Sequence, residues 1–219
     1  MWFAELVLTL TGTHVRLVPL DVGHVDALVS AATEPAARFD WTTVPTDPVA
    51  MERFVRWQLD RREEGTWIPF ATLGSSSVDG TAAVIGSTSF LDVQRWDDDD
   101  PRTVEIGATW LAPSAQRTAA NTEAKPLMLT HAFESWGVAR VQLKTDARNE
   151  QSRAAIERLG ARPEGILRNY QPGAGTLGAG GPRDTAMYSI VPAEWPSVRD
   201  RLTARLARAD GPVLPPSRG

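Results

Sequence analysis

Residues 6–20, LVLTLTGTHVRLVPL, alternate apolar and polar side chains, and this spacing predicts a first strand centred on 14–18. The pattern then lengthens to a helical period. Asp21 stands as an N-cap ahead of DVGHVDALVSAAT, in which Val25, Leu28 and Val29 share one face. A loop at 35–48 carries Phe39, Trp41 and Thr42. Asp47, Pro48 and a later Gly65 bracket a second helix with Met51, Phe54, Val55 and Leu59 as its apolar stripe. WIPFATL and AAVIGSTSFLDV read as the next two strands, joined by a polar hairpin turn at 75–80 and followed by an acidic, exposed loop at 97–101.

From 104 to 160 the rhythm becomes strand, short polar loop, helix, strand, short polar loop, helix. Loops that leave a strand and open a helix gather exposed backbone N–H groups at a positive dipole end, where an anion is favoured. Period-2 alternation on the first strand puts Glu105, Gly107, Thr109 and Leu111 on one face and Ile106, Ala108 and Trp110 on the other. Pro126 falls inside the helix after the first loop and predicts a local kink. ARPEGILRNY and RDTAMYSIV read as two last strands around a flexible Gly-rich hairpin tip, followed by an amphipathic helix at 193–209. The expectation is one α/β domain over 1–209, a mixed, twisted sheet of about seven strands with helices on both faces, and a disordered tail at 210–219.

Composition narrows the chemistry. The chain has 219 residues and no cysteine, which excludes disulfides, thiolate metal sites and a Cys nucleophile. Its three histidines are scattered, so no metal site is expected. A net charge of −4 argues against nucleic acid as partner. No apolar run reaches the ~20 residues of a membrane helix, and the N-terminus lacks a basic signal region. The expectation is a soluble, cytoplasmic protein.

The runs E-I-G-x-x-W-L-x-P-x-x-Q-x-T-x-x-N-T-E-A-K and K-T-D-A-R-N-x-x-S-x-x-A-I-E-R-L-G-A resemble the GNAT acyltransferases, most closely the branch typified by bacterial ribosomal-protein N-terminal acetyltransferases (RimJ/RimL-like). The resemblance implies the GNAT fold and acetyl-CoA as co-substrate. It implies a primary amine as acceptor, either a small molecule or a protein N-terminus, and dimers are common in that branch. The family's pyrophosphate loop falls on Gln116, Arg117, Thr118, Ala119, Ala120 and Asn121. Two of its usual glycines are missing, replaced by Ala119 and Arg117. If Ala119 is already helical the change costs nothing; a positive φ there would strain it.

The resemblance further implies that the Trp110 and Leu111 backbone pairs with pantetheine, and that Asn149 bonds the same arm. As an alternative, Asn149 caps its helix, and the two roles are compatible. Many members place a Tyr acid where this chain has Ile156, which leaves Ser152 as proton donor. Glu105, eleven residues ahead of Gln116, is the candidate general base; the alternative is a salt bridge to an Arg on a neighbouring strand. Phe39, Trp41, Thr42 and Tyr188 are the acceptor-pocket candidates, with Trp67 and Asp184 behind them. A second functional reading is a GNAT-fold module that binds CoA with little or no turnover.

Overall fold

The computed structural model describes residues 8–74, 82–96 and 102–209. The turn at 75–80, the acidic loop at 97–101 and the tail at 210–219 lie wholly outside the described residues. Strands β1 (Leu10–Thr11), β2 (Val15–Pro19), β3 (Ile68–Gly74), β4 (Val84–Gln94), β5 (Thr103–Leu111), β6 (Arg140–Asp146), β7 (Arg162–Pro172) and β8 (Pro182–Ile190) form one sheet. Its order is β1-β2-β3-β4-β5-β6-β8-β7. Every neighbouring pair is antiparallel except β5 and β6, which run parallel. The eighth strand is the two-residue β1, which the alternating stretch at 6–20 hid inside a single expected strand.

Helices α1 (Val25–Ala32) and α2 (Pro48–Glu63) cover one face through Leu28, Met51 and Val55; α3 (Ala119–Thr130), α4 (Glu150–Leu159) and α6 (Trp195–Ala209) cover the other. The second face holds the larger core, where Phe90 packs between Phe70 and Trp136. Local chemistry sets the helix ends. Asp47 accepts a hydrogen bond from Ala50 N at 2.9 Å, Pro48 occupies the first helical position, and Gly65 turns the chain away at φ +72°. Asp21 caps a 3-10 turn, Val22–His24, that runs into α1.

Helix α3 runs on through Pro126 without interruption, and a π turn, His131–Ser135, follows it. The expected hairpin tip between β7 and β8 is a docked element. It holds a one-turn helix, α5 (Gly175–Gly178), whose N–H groups donate to Phe39 O and Asp40 O on the α1–α2 loop, and Thr176 Oγ1 bonds Asp40 Oδ1 at 2.8 Å. The two loops thereby form one roof over the end of the sheet.

Candidate active site

The sheet opens at Glu105. The parallel pairing of β5 and β6 covers Thr103 with Arg140, Val104 with Val141 and Glu105 with Gln142, and then stops. Beyond that point β5 pairs only with β4, and β6 only with β8. A bulge in β5 lies just past the fork: Ala108 adopts φ +47°, and the register with β4 slips between Ser87 and Ser89. The bulge corrects the expected alternation. Ile106 and Thr109 face α3, while Glu105, Gly107 and Trp110 face the other side, where Trp110 packs in the α1–α2 core.

A buried lysine holds the bulge from behind. Lys125 Nζ donates to Thr109 Oγ1 at 2.7 Å and Thr88 Oγ1 at 3.2 Å, and those hydroxyls are themselves 2.7 Å apart. Burial pushes the Lys125 ammonium down to about 7. The folded state then holds that proton more weakly than the unfolded chain does, so stability rises as pH climbs from about 7 toward the ordinary lysine range. Lys125→Met is expected to flatten this part of the pH–stability curve, as thermal unfolding of both proteins across that range would show.

The loop from β5 into α3 resolves the question of the missing glycines. Ala119 is the first residue of α3, so Ala costs nothing there. The left-handed residue is Arg117, at φ +60°. Thr118 caps the helix, accepting from Ala120 N at 3.2 Å and donating to Ala115 O, and Gln116 Nε2 ties the loop to Leu111 O at 3.0 Å. Arg117→Gly is expected to stabilise the fold by roughly 1 kcal/mol by removing the left-handed penalty. Denaturant unfolding reads this effect. Asn121 Oδ1 is buried with no hydrogen-bond partner among the described residues.

At the second loop, Asn149 caps α4 by accepting from Ser152 N at 3.0 Å. Ser152 is half-buried one turn into that helix, and Ile156, where a Tyr acid would stand, is buried in the core. Arg153 is occupied internally, donating to Tyr188 OH at 3.1 Å and Ala147 O at 3.2 Å. Tyr188 is a correction. It pairs with Leu143, which places it on the α4 face, and its hydroxyl bonds Glu157 at 3.1 Å. It does not reach the roofed side of the sheet. Trp67 is likewise elsewhere, edge-on to Trp57 of α2 at 4.9 Å. Asp184 is engaged by Asn169 N at 2.9 Å.

On the roofed side Glu105 is almost fully buried. It forms an ion pair with Lys144 at 2.7 Å and accepts from Gln142 Nε2 at 3.3 Å, so its neighbouring-strand partner is a Lys and not the Arg that the sequence suggests. Burial raises the Glu105 carboxyl above the ordinary glutamate range, and the Lys144 charge only partly offsets it. Burial also works against the Lys144 ammonium, but Glu105 and Asp92 outweigh it and raise that group. Farther along β6, Asp146 is buried and bonded by Arg148, which holds it below the usual carboxylate range. Arg148 lies over the Trp41 ring, 5.0 Å from its centroid, and Phe39 meets Trp110 edge-on at 5.6 Å. Thr42 lines a cleft between the two roof loops together with Phe39, Asp40 and Gly173 to Thr176. Lys144, Asp146, Arg148 and Arg183 were missed by the sequence reading. The one available signal was that Lys144 and Asp146 alternate with buried apolar residues on β6.

The fork, the bulge beside it and a helix opening at the end of β5 are now joined by a sequence match. The profile of the acetyltransferase (GNAT) domain matches residues 14–162.

The chain belongs to the GNAT acetyltransferase family.

An uncharacterized N-acetyltransferase of Bacillus subtilis, YoaA, is 26% identical over 140 residues, a match that spans 64% of this chain and only 64% of that relative's length. The crystal structure of a GCN5-related N-acetyltransferase from Brucella melitensis superposes with a TM-score of 0.78 at 29% identity, covering 94% of this chain and 89% of that one. Mycobacterium smegmatis RimJ, solved in complex with CoA-disulfide, shares the fold at a TM-score of 0.70 and 21% identity, covering 91% of this chain and 95% of its own. Among the described residues, no helix is long and apolar enough to cross a membrane and no group of three or more His, Asp or Glu side chains is placed to hold a metal ion.

Proposed function

We propose that this GNAT member moves the acetyl group of acetyl-CoA to a primary amine by direct attack within a ternary complex. The observation that carries the reading is the parallel β5–β6 pairing that ends at Glu105, which opens a slot between two strands with a helix N-terminus at its far end. The pyrophosphate would sit against the backbone of Gln116 to Asn121, with Arg117 adding a charge-assisted contact. The unpaired edge of β5 at Trp110 and Leu111 would run beside the pantetheine arm, and Asn149 would bond it from the other side. The amine nitrogen attacks the thioester carbon while Glu105 accepts its proton, directly or through water. The carbon–sulfur bond then breaks, and Ser152 donates a proton to the leaving thiolate. Phe39, Trp41 and Thr42 would form the roof over the acceptor. An Ala at 119 would favour a binding-only module if it distorted the loop, but a helical position carries no such cost.

Thiol release from acetyl-CoA, followed across a panel of amines and peptides, tests this reading. Release with at least one amine, slowed in Glu105→Gln and Ser152→Ala, is expected. Binding of CoA with no release against any amine would replace it with the binding-module reading. No thermal stabilisation by CoA would remove both, since a ligand at 100 times its Kd adds about 2.7 kcal/mol.

A further inference from the structure

Among the described residues, Arg183 on the roofed side has no ion pair. Arg183 on β8 is buried, yet among the described residues its side chain makes one hydrogen bond, from Nε to Thr185 Oγ1 at 3.2 Å, and no ion pair. Its neighbours differ. Arg148 spends its charge on Asp146, and Lys144 spends its charge on Glu105 and Asp92. Of the five N–H donors of a guanidinium, Arg183 uses only one among the described residues. The remaining four sit on the two terminal nitrogens, in the flat fork that matches a carboxylate.

The backbone fixes where this fork points. Thr185 pairs with Asp146 across β8 and β6, so the two share a face, and Arg183 lies two residues before Thr185 on that same face. Lys144 shares it too, and Lys144 binds Glu105. The Nε bond to Thr185 folds the Arg183 side chain back along the strand, toward the fork at Glu105. Both Asp146 and Glu105 act on its charge from within electrostatic range, but neither comes close enough to pair with it. Burial meanwhile lowers the Arg183 guanidinium, the cost of holding an unpaired charge in the fold.

We propose that Arg183 binds a carboxylate of the acceptor, so that the amine acetylated at this site is carried on a free carboxylic acid, such as an amino acid or a short peptide with its own C-terminus in reach. The amine meets Glu105 and the acid meets Arg183, which fixes the acceptor at two points across the open slot. The acceptor then supplies the counter-charge that the fold withholds. The assignment rests on acetyl transfer at Glu105.

The experiment pairs each acceptor with its neutral analogue. Free amino acids and dipeptides are compared with their C-terminal amides, by thiol release from acetyl-CoA, in wild type, Arg183→Gln and Arg183→Lys. Wild type is expected to favour the acids. Arg183→Gln is expected to raise KM for the acids at least tenfold, leave the amides unchanged and leave KM for acetyl-CoA unchanged. Arg183→Lys should recover part of the preference. Because Arg183 is buried, unfolding temperatures are measured first, and an amino acid should raise that of wild type but not that of Arg183→Gln. Equal use of acids and amides, or equal losses on both in Arg183→Gln, overturns the carboxylate assignment while acetyl transfer stands. A preference for amines bearing a phosphate with the same Arg183 dependence also overturns it. No thiol release with any amine removes the acetyl-transfer reading and this assignment together.

Discussion

Glu105→Gln is expected to lower kcat for amine acetylation about a hundredfold at neutral pH, with KM for acetyl-CoA unchanged. The substitution keeps the side chain's shape and removes its charge and its ability to take a proton. Lys144 loses its nearer carboxylate but keeps Asp92 at 3.3 Å. The pH dependence separates a base from a binding residue. Burial raises the Glu105 carboxyl, so wild-type activity should fall, as pH drops, at a higher pH than for an exposed glutamate. In the variant that limb should disappear. At pH above the acceptor's own pKa the amine arrives already deprotonated, and the gap between the two enzymes should narrow. A loss of equal size at every pH would mean that Glu105 only positions the acceptor, and no loss would remove it from the chemistry. Stability moves the opposite way. A carboxyl raised in the folded state stabilises at low pH, and that contribution is lost as pH rises through its folded value. Glu105→Gln removes that pH dependence, but it also takes from the largely buried Lys144 its nearer counter-charge, so a lower urea midpoint at neutral pH is expected.

Helix ends were legible in the sequence because their chemistry is local. Asp47 and Pro48 act at one end of α2 and Gly65 at the other, each within a few residues of its own position, and each does in the fold what that position suggests. The capping role of Asn149 is local in the same way. The fork was not legible in the same terms. Its bulge is centred on Ala108, and alanine in the left-handed region leaves no glycine to mark it. One extra residue then reversed every facing assignment beyond it, which is why Thr109 and Trp110 changed sides. In the loop into α3 the departure at 119 is harmless, and the strained residue is Arg117, two positions earlier. Tyr188 failed on strand parity, being one residue out of step with the face that holds Lys144 and Asp146. Arg183 and Lys144 could not be ranked from sequence at all. A charge in a strand reads as solvent-facing, and only the pairing of β6 with β8 and the approach of β5 bury Arg183 and bring Lys144 onto Glu105.

Glu123→Ala is expected to destabilise the fold by about 3 kcal/mol, although from sequence Glu123 reads as an ordinary charge on a helix. It lies in the second turn of α3 and is buried under the β1–β2 turn. Its carboxylate accepts three backbone hydrogen bonds, from Thr13 N at 2.8 Å, His14 N at 2.6 Å and Val15 N at 2.8 Å. Bonds to a charged acceptor are each stronger than neutral ones, and Val15 is itself buried, so water cannot fully replace the loss. Glu123→Gln should recover only part of it, because the amide keeps one acceptor oxygen, enough for His14 N and Val15 N, and turns its NH2 toward Thr13 N. Gly12 is part of the same fit: a side-chain carbon at that position would collide with the Glu123 carboxylate, so Gly12→Ala should destabilise as well. Urea unfolding checks both substitutions, as a lower midpoint with an unchanged slope. The anchor also bears on the active site, since Glu123 fixes the first turns of the helix whose N-terminus faces the proposed pyrophosphate. At a temperature where the variant remains folded, KM for acetyl-CoA should rise while kcat changes little. A stability loss with KM unchanged would confine Glu123 to the architecture and leave the placement of that helix to Lys125 and the loop at Gln116.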